Sequence, residues 1–331
     1  MSASRQAVFV ASSVKDLARA VARMLPQVEV KHLCIQSEDN YLSDEDWSDL
    51  RGNADILLAD LPIIKSALFT STKLKWAQST WAGVESLITV VDPLKPPDVI
   101  VTRTGSGFGN LMAEYVLGYI IATERKFLQM AVDQKAKEWN PDQYKRDVRL
   151  LSQLRLGILG AGQIGTQIGS LCKSVGMEVW GLARSKHSDL GPFDVCRTTD
   201  ELADILQNCD YICNVLPSTE ETKGLLSGDM LSHCQVKKPT FINVGRGNIV
   251  DDESLIKAIE NQWIAGAVLD VFDSEPLPRD SRLWSNPNVV ITPHMSGPCN
   301  TEPVAKAFTC NYQKYIAGHT LDYIVKWKNG Y

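Results

Sequence analysis

Residues 154–182 constrain the fold of this chain more than any other stretch. Leu156-Gly157-Ile158-Leu159 is an apolar run of strand length that passes straight into Gly160-Ala161-Gly162-Gln163-Ile164-Gly165. Ile164, Ile168, Leu171 and Val175 then recur at helical spacing, Gly176 stops the helix, and a second apolar run covers residues 177–182. Three glycines so spaced, between a strand and a helix that leads to another strand, predict the turn of a dinucleotide-binding βαβ unit. Gly160 permits the tight turn, Gly162 lets backbone approach a pyrophosphate, and Gly165 lets the helix lie close on the strand. The amides of Gln163 and Ile164, at the positive end of the helix, then face the phosphates.

The end of the second strand bears on which dinucleotide binds. An NAD site usually presents an acid there to the adenosine ribose hydroxyls, whereas this chain has Ala183-Arg184-Ser185-Lys186 and no acid before Asp189. Two cations and a hydroxyl suit a 2′-phosphate that a carboxylate would repel, so Arg184, Ser185 and Lys186 predict NADP(H).

The remainder of the chain is long enough, at 331 residues, for two domains with a core each. A net charge of -5 with no basic run argues against nucleic acid as a partner, and no apolar run reaches membrane-spanning length. The eight cysteines show neither CxxC nor paired spacing, which predicts free thiols and a cytoplasmic protein. No HxxxH or clustered Cys/His pattern predicts a metal site.

Short apolar runs alternate with helical signals along both halves. The first half carries strand-like runs at 7–10, 28–33, 54–61, 74–78 and 99–102, with a helix at 13–25 whose Val14, Leu17, Val21 and Leu25 share a face. Gly105-Ser106-Gly107-Phe108-Gly109 is read as a flexible joint, followed by a helix capped by Asn110 that runs to about Ala131. Further strands follow at 194–196, 211–216, 240–244, 267–271 and 289–292, and a last helix spans 301–316. This alternation predicts an α/β chain of two doubly wound parallel sheets, divided near residue 108.

Ligands of such sheets collect at the carboxyl ends of the strands. There the second half places Arg246 after residues 240–244, Glu275 after 267–272, and His294 after 289–293. A guanidinium can grip a carboxylate and polarise the adjacent carbonyl, an imidazolium can protonate its oxygen, and a glutamate can fix the tautomer and basicity of the ring. The trio suits hydride transfer to a 2-keto acid.

Four segments carry a resemblance to the D-2-hydroxyacid dehydrogenases, in particular the glyoxylate/hydroxypyruvate reductase branch: residues 160–165, Ile242-Asn243-Val244-Gly245-Arg246-Gly247, Leu269-Asp270-Val271-Phe272 with Glu275-Pro276-Leu277-Pro278, and Ile291-Thr292-Pro293-His294. The resemblance covers essentially the whole chain. It implies a Rossmann cofactor domain, 109–293, inserted in a discontinuous flavodoxin-like substrate domain, 1–108 with 294–331. It implies that Arg246 binds the substrate, that His294 is the general acid and base with Glu275 as its partner, and that Asp270 holds the nicotinamide carboxamide. Val244, Gly245, Leu216 and Pro217 would line the cofactor. In the first domain the amides of Ala82 and Gly83 would bind the substrate carboxylate, with Trp47 and Trp81 as pocket walls. Two copies would pair as a homodimer through residues 110–151. Gly245, where many relatives carry Ala, and Met295-Ser296-Gly297 depart from the family pattern beside the pocket. The expectation is an NADP(H)-dependent reductase of small 2-keto acids. The alternatives are an NAD-dependent relative acting on a larger 2-hydroxy acid and a dinucleotide-sensing, co-repressor-like scaffold.

Overall fold

The computed structural model describes residues 7–36, 42–105, 107–146, 148–185 and 190–329, which fall into two compact units, 1–108 with 298–331 and 109–297. The first unit is built on five parallel strands: β1 (Val8–Ala11), β2 (Val30–His32), β3 (Ile56–Ala59), β4 (Trp76–Ser79) and β5 (Ile100–Thr102), in the order β2-β1-β3-β4-β5. Side chains alternate across this sheet, and both faces are apolar because helices cover both. Val8, Val10, Ile56, Leu58 and Trp76 face Leu17 and Val21 of helix Leu17–Met24 and Phe308 of helix Thr301–Ile316. Trp76 and Phe308 stack with ring centroids 5.1 Å apart. Phe9, Leu57 and Ala77 face Leu50 of helix Asp44–Asn53 and Ile64 of helix Leu61–Thr70. The C-terminal helix therefore belongs to the core of the first unit, and the Rossmann unit interrupts it.

The second unit has seven parallel strands: β6 (Arg155–Leu159), β7 (Glu178–Leu182), β8 (Val195–Arg197), β9 (Tyr211–Asn214), β10 (Thr240–Asn243), β11 (Gly266–Leu269) and β12 (Val289–Ile291). Their order is β12-β11-β10-β9-β6-β7-β8, so the chain leaves β6 toward one edge and returns at β9 toward the other. The registers align Leu159 with Asn214, Asn214 with Asn243, Asn243 with Leu269, and Leu269 with Ile291. Five exit loops thus leave from one row.

Three expectations are corrected. Asn110 does not cap a helix but lies inside helix Phe108–Glu124, which ends before residue 131 because Lys126 turns left-handed (φ 53°) and opens a separate helix, Phe127–Ala136. The glycines near 105 are packing positions as much as a joint: a Cβ on Gly105 would lie 2.1 Å from the Tyr323 ring, and one on Gly107 would lie 2.5 Å from Pro303. The second unit runs to 297 rather than 293, since the amides of residues 294–296 are hydrogen-bonded to Asp270. Among the described residues no helix is long and apolar enough to cross a membrane.

Candidate active site

The glycine turn has the geometry its spacing predicts. Gly160 adopts φ +115°, a conformation side chains resist. A Cβ on Gly165 would lie 2.0 Å from the Gly160 carbonyl oxygen, so only glycine lets helix Gln163–Ser174 start this close to β6. At Gly162 a Cβ would meet nothing within 4 Å, and the helix begins there with no side-chain cap. An uncapped helix start beside open space is what a pyrophosphate requires, so the residues present fit a dinucleotide.

On the next strand end, Arg184 lies 3.6 Å from Glu221, and both side chains are exposed. Ser185 follows it, while Lys186 lies outside the described residues.

The exit loops of β9 and β10 are tied by an asparagine ladder that the sequence reading missed. Buried Asn214 donates to Asn243 Oδ1 (2.8 Å), which also accepts from the Gly245 amide, while Asn243 Nδ2 donates to the Arg246 carbonyl (3.0 Å). Asn214 Oδ1 accepts from the Leu216 amide (3.1 Å), and its carbonyl accepts from the Val244 amide (3.1 Å). Thr222 holds the Pro217 carbonyl (2.7 Å). The ladder draws the loops so close that a Cβ on Gly245 would lie 2.8 Å from Asn214 Nδ2 and 2.9 Å from the Leu216 carbonyl oxygen. This crowding accounts for glycine at that position. Arg246 is half-buried and its Nη1 donates to the Gly245 carbonyl (2.7 Å).

Asp270, at the exit of β11, is fully buried. Its carboxylate accepts from Thr292 Oγ1 (2.5 Å) and from the amides of Met295 and Ser296 (2.8 Å each), and its carbonyl accepts from the His294 amide (2.9 Å). Tyr115, from helix Phe108–Glu124, shares a 2.6 Å hydrogen bond with Thr292. The structure thus commits Asp270 to the loop that carries His294. That loop needs holding, because His294 sits at φ +51°, where a residue with a side chain is strained.

His294 Nδ1 lies 2.7 Å from Glu275 Oε2, and Glu275 Oε1 accepts from the Phe272 amide (3.0 Å). The bond to Glu275 raises the His294 pKa above its ordinary 6.5, helped by the charges of Glu275 and Asp270 and opposed by burial and by the charge of Arg246. Burial works to raise the Glu275 carboxyl. The bonds from His294 and Phe272 and the charges of His294 and Arg246 outweigh it and hold that carboxyl below the usual range. The charge of Arg246 is thus felt at both partners. The His294 side chain is 55% exposed, and its Nδ1 is already held.

In the first unit, Trp47 packs on the core with Arg51 stacked 5.1 Å over its ring, whereas Trp81 is 40% exposed on the loop after β4. In that loop the Trp81 carbonyl accepts from the Thr104 amide (3.2 Å) and the Ala82 carbonyl from Arg103 (3.4 Å). The amides of Ala82 and Gly83 find no acceptor among the described residues.

A family model described as D-isomer specific 2-hydroxyacid dehydrogenase, NAD binding domain, matches residues 117–296. The chain is 33% identical over 257 residues to the glyoxylate/hydroxypyruvate reductase B of Escherichia fergusonii, across 76% of this chain and 77% of that one. It superposes on a D-isomer specific 2-hydroxyacid dehydrogenase family protein from Aeromonas salmonicida with a TM-score of 0.84 at 34% identity, over 98% of this chain and 100% of the other. A D-isomer specific 2-hydroxyacid dehydrogenase from Xanthobacter autotrophicus Py2, crystallised with NADPH and MES, gives a TM-score of 0.84 at 28% identity, over 99% and 100%.

Proposed function

The chain belongs to the D-isomer specific 2-hydroxyacid dehydrogenase family, and from that premise we propose that it is an NADP(H)-dependent reductase of small 2-keto acids, glyoxylate, hydroxypyruvate or a close analogue. The observation that carries this reading is the His294–Glu275 pair within the field of Arg246, on a row of strand ends that begins at the glycine turn. The relative named as a glyoxylate/hydroxypyruvate reductase supports the substrate class, and the neighbour that binds NADPH supports the cofactor.

Gly160, Gly162 and Gly165, with the amides of Gln163 and Ile164, would hold the pyrophosphate, and Leu216, Pro217, Val244 and Gly245 would line the dinucleotide. When bound, the reduced nicotinamide supplies the hydride for C2 of the keto acid. Arg246 grips the substrate carboxylate and polarises the carbonyl. His294 Nε2 gives its proton to the carbonyl oxygen as the alcohol forms, and takes it back in the reverse reaction. Glu275 keeps the other proton on Nδ1 and favours the charged ring. In the first unit, the amides of Ala82 and Gly83 bind a carboxylate, with Trp81 beside them. At the adenosine end, Arg184, 3.6 Å from Glu221, and Ser185 would hold a 2′-phosphate. The eight free cysteines fit a reducing compartment, and we place the protein in the cytoplasm as a homodimer.

Loss of NADPH and NADH absorbance against a panel of 2-keto acids tests the reading. NADPH should be oxidised with the small acids, and Arg246→Ala and His294→Ala should each lower kcat/KM by about 100-fold or more. Arg184→Asp should cut turnover with NADPH and spare that with NADH. Tight NADPH binding without turnover of any acid would instead favour a dinucleotide-sensing scaffold.

A further inference from the structure

The mechanism leaves several buried carboxylates unused, and one of them stands at a strand exit. Asp60, at the exit of β3 in the first unit, is 4% exposed. Its Oδ1 accepts from Ser12 Oγ (2.6 Å) and Thr80 Oγ1 (2.6 Å), and its Oδ2 accepts from the Ser13 amide and hydroxyl (2.7 Å each). The strand order explains how three distant segments meet there. Ala59 of β3 is in register with Ala11 of β1 on one side and with Ser79 of β4 on the other, so residue 60 stands between residues 12 and 80.

A structural assignment for Asp60 is at hand, since it occupies the N-cap of helix Leu61–Thr70. Yet its side chain makes no cap bond. An aspartate at an N-cap that forgoes the bond leaves a helix amide without its usual side-chain acceptor. Both oxygens are turned instead to the neighbouring exit loops, and a carboxylate this buried persists only where such donors surround it. Of those loops, the one after β4 carries Ala82 and Gly83. Its first residue beyond the strand, Thr80, is itself fully buried, with its hydroxyl on Asp60 and its amide on the Ala59 carbonyl (3.1 Å). The next amide, of Trp81, turns back onto Ser79 Oγ (3.0 Å), and the two amides after it, of Ala82 and Gly83, find no acceptor among the described residues. Thr80 is thus the pivot on which the tip of the loop is aimed, and Asp60 fixes the pivot.

We propose that Asp60 is a positioning residue for substrate binding: through Thr80 it sets the direction in which the Ala82 and Gly83 amides present themselves to the carboxylate of the keto acid. This rests on the reading of that loop as a substrate site. It distinguishes charge from shape at residue 60. In Asp60→Asn the amide oxygen can still accept from the Ser13 amide while the NH2 group donates to the Ser12 and Thr80 hydroxyls, which turn to accept, so Asn should recover most of the function that Ala loses.

The test compares Asp60→Ala, Asp60→Asn, Thr80→Val and Thr80→Ser with the parent protein. Thr80→Val keeps the shape of the side chain and removes only the hydroxyl, so it holds the question open should Asp60→Ala fail to fold. Expected are a KM for glyoxylate raised about tenfold in Asp60→Ala and Thr80→Val with kcat within about twofold, recovery in Asp60→Asn and Thr80→Ser, and an unchanged Kd for NADPH. Hydrogen exchange at the Thr80 and Trp81 amides should quicken about tenfold in the same two variants. Unchanged exchange overturns the proposal, as does a fall in kcat at constant KM. If no chain, the parent included, reduces any keto acid, the reduction reading fails, and faster exchange alone then upholds Asp60 as the anchor of the loop.

Discussion

His294 joins a strained backbone to a chemically tuned ring. Three hydrogen bonds to Asp270 hold residues 294–296 in place, and Glu275 occupies Nδ1, so both the position and the tautomer are settled before any ligand arrives. Because the bond to Glu275 raises the His294 pKa above 6.5, the ring keeps its proton to higher pH than a free imidazole and loses its charge as pH climbs through the raised value. Reduction, which consumes that proton, should be sustained below the raised pKa and fall as pH climbs through it, while oxidation of the hydroxy acid should rise over the same window. Glu275→Gln separates charge from orientation, since its amide oxygen can still accept from Nδ1–H. The alkaline limb of kcat/KM for reduction should move to lower pH in this variant, with hydride transfer rate-limiting. A limb that stays where it is would remove Glu275 from this role. The same raised pKa adds a little stability below about pH 6.5 that is lost as pH rises through the folded value, and exposure of the ring keeps it small.

At the scale of the element, the glycine turn permits a test in which stability and binding part company. Gly165→Ala forces a methyl to 2.0 Å from the Gly160 carbonyl oxygen, so helix Gln163–Ser174 must back away from β6. The ligand-free protein should lose about 2 kcal/mol, read as a lowered Tm. Gly162→Ala adds its methyl to open space and should leave the Tm of the ligand-free protein unchanged, yet the methyl stands where a pyrophosphate must approach, so Kd for NADPH should rise about tenfold or more. Equal Kd in Gly162→Ala and the parent would sink the assignment of the turn. The turn was legible in sequence because strand, glycine spacing and helix are local patterns, and Arg246, Glu275 and His294 stood out as candidates because each lies in the loop that leaves a strand. Asn214, Asn243, Thr292, Tyr115 and Asp60 were not. Their partners lie on laterally adjacent strands or on a distant helix, and that adjacency depends on a strand order that no local pattern encodes. The break at Lys126 was hidden for another reason: Thr123-Glu124-Arg125-Lys126-Phe127 contains neither glycine nor proline, and its left-handed residue is an ordinary lysine.

Over the whole molecule, each unit has its own core, and one excursion of the second unit carries a group of large apolar side chains left exposed. A polar knot anchors its ends. Arg149 donates to Glu124 (3.0 and 2.5 Å) and to Asp210 (3.0 Å), and Tyr211 donates to Glu124 (2.6 Å), fastening both sides of residues 125–148 to the base of the second sheet. Within the excursion, Asp133 accepts from Gln129 and Gln143 (2.8 and 2.9 Å) and from Tyr144, which fixes helix Pro141–Lys145 against helix Phe127–Ala136. This well-braced segment nevertheless leaves Phe127, Leu128, Val132 and Trp139 in water, Trp139 with 90% of its surface exposed. Bracing costs conformational entropy, and a braced apolar surface is worth that cost when a second surface covers it. A second copy related by a two-fold axis would present the same patch and cover both. Light scattering should therefore find a dimer for the parent protein, and Leu128→Glu with Trp139→Glu should give a folded monomer with an unchanged far-ultraviolet dichroism spectrum. A parent that stays monomeric at micromolar concentration, or a double variant that stays dimeric, would show that the excursion is not where two copies meet.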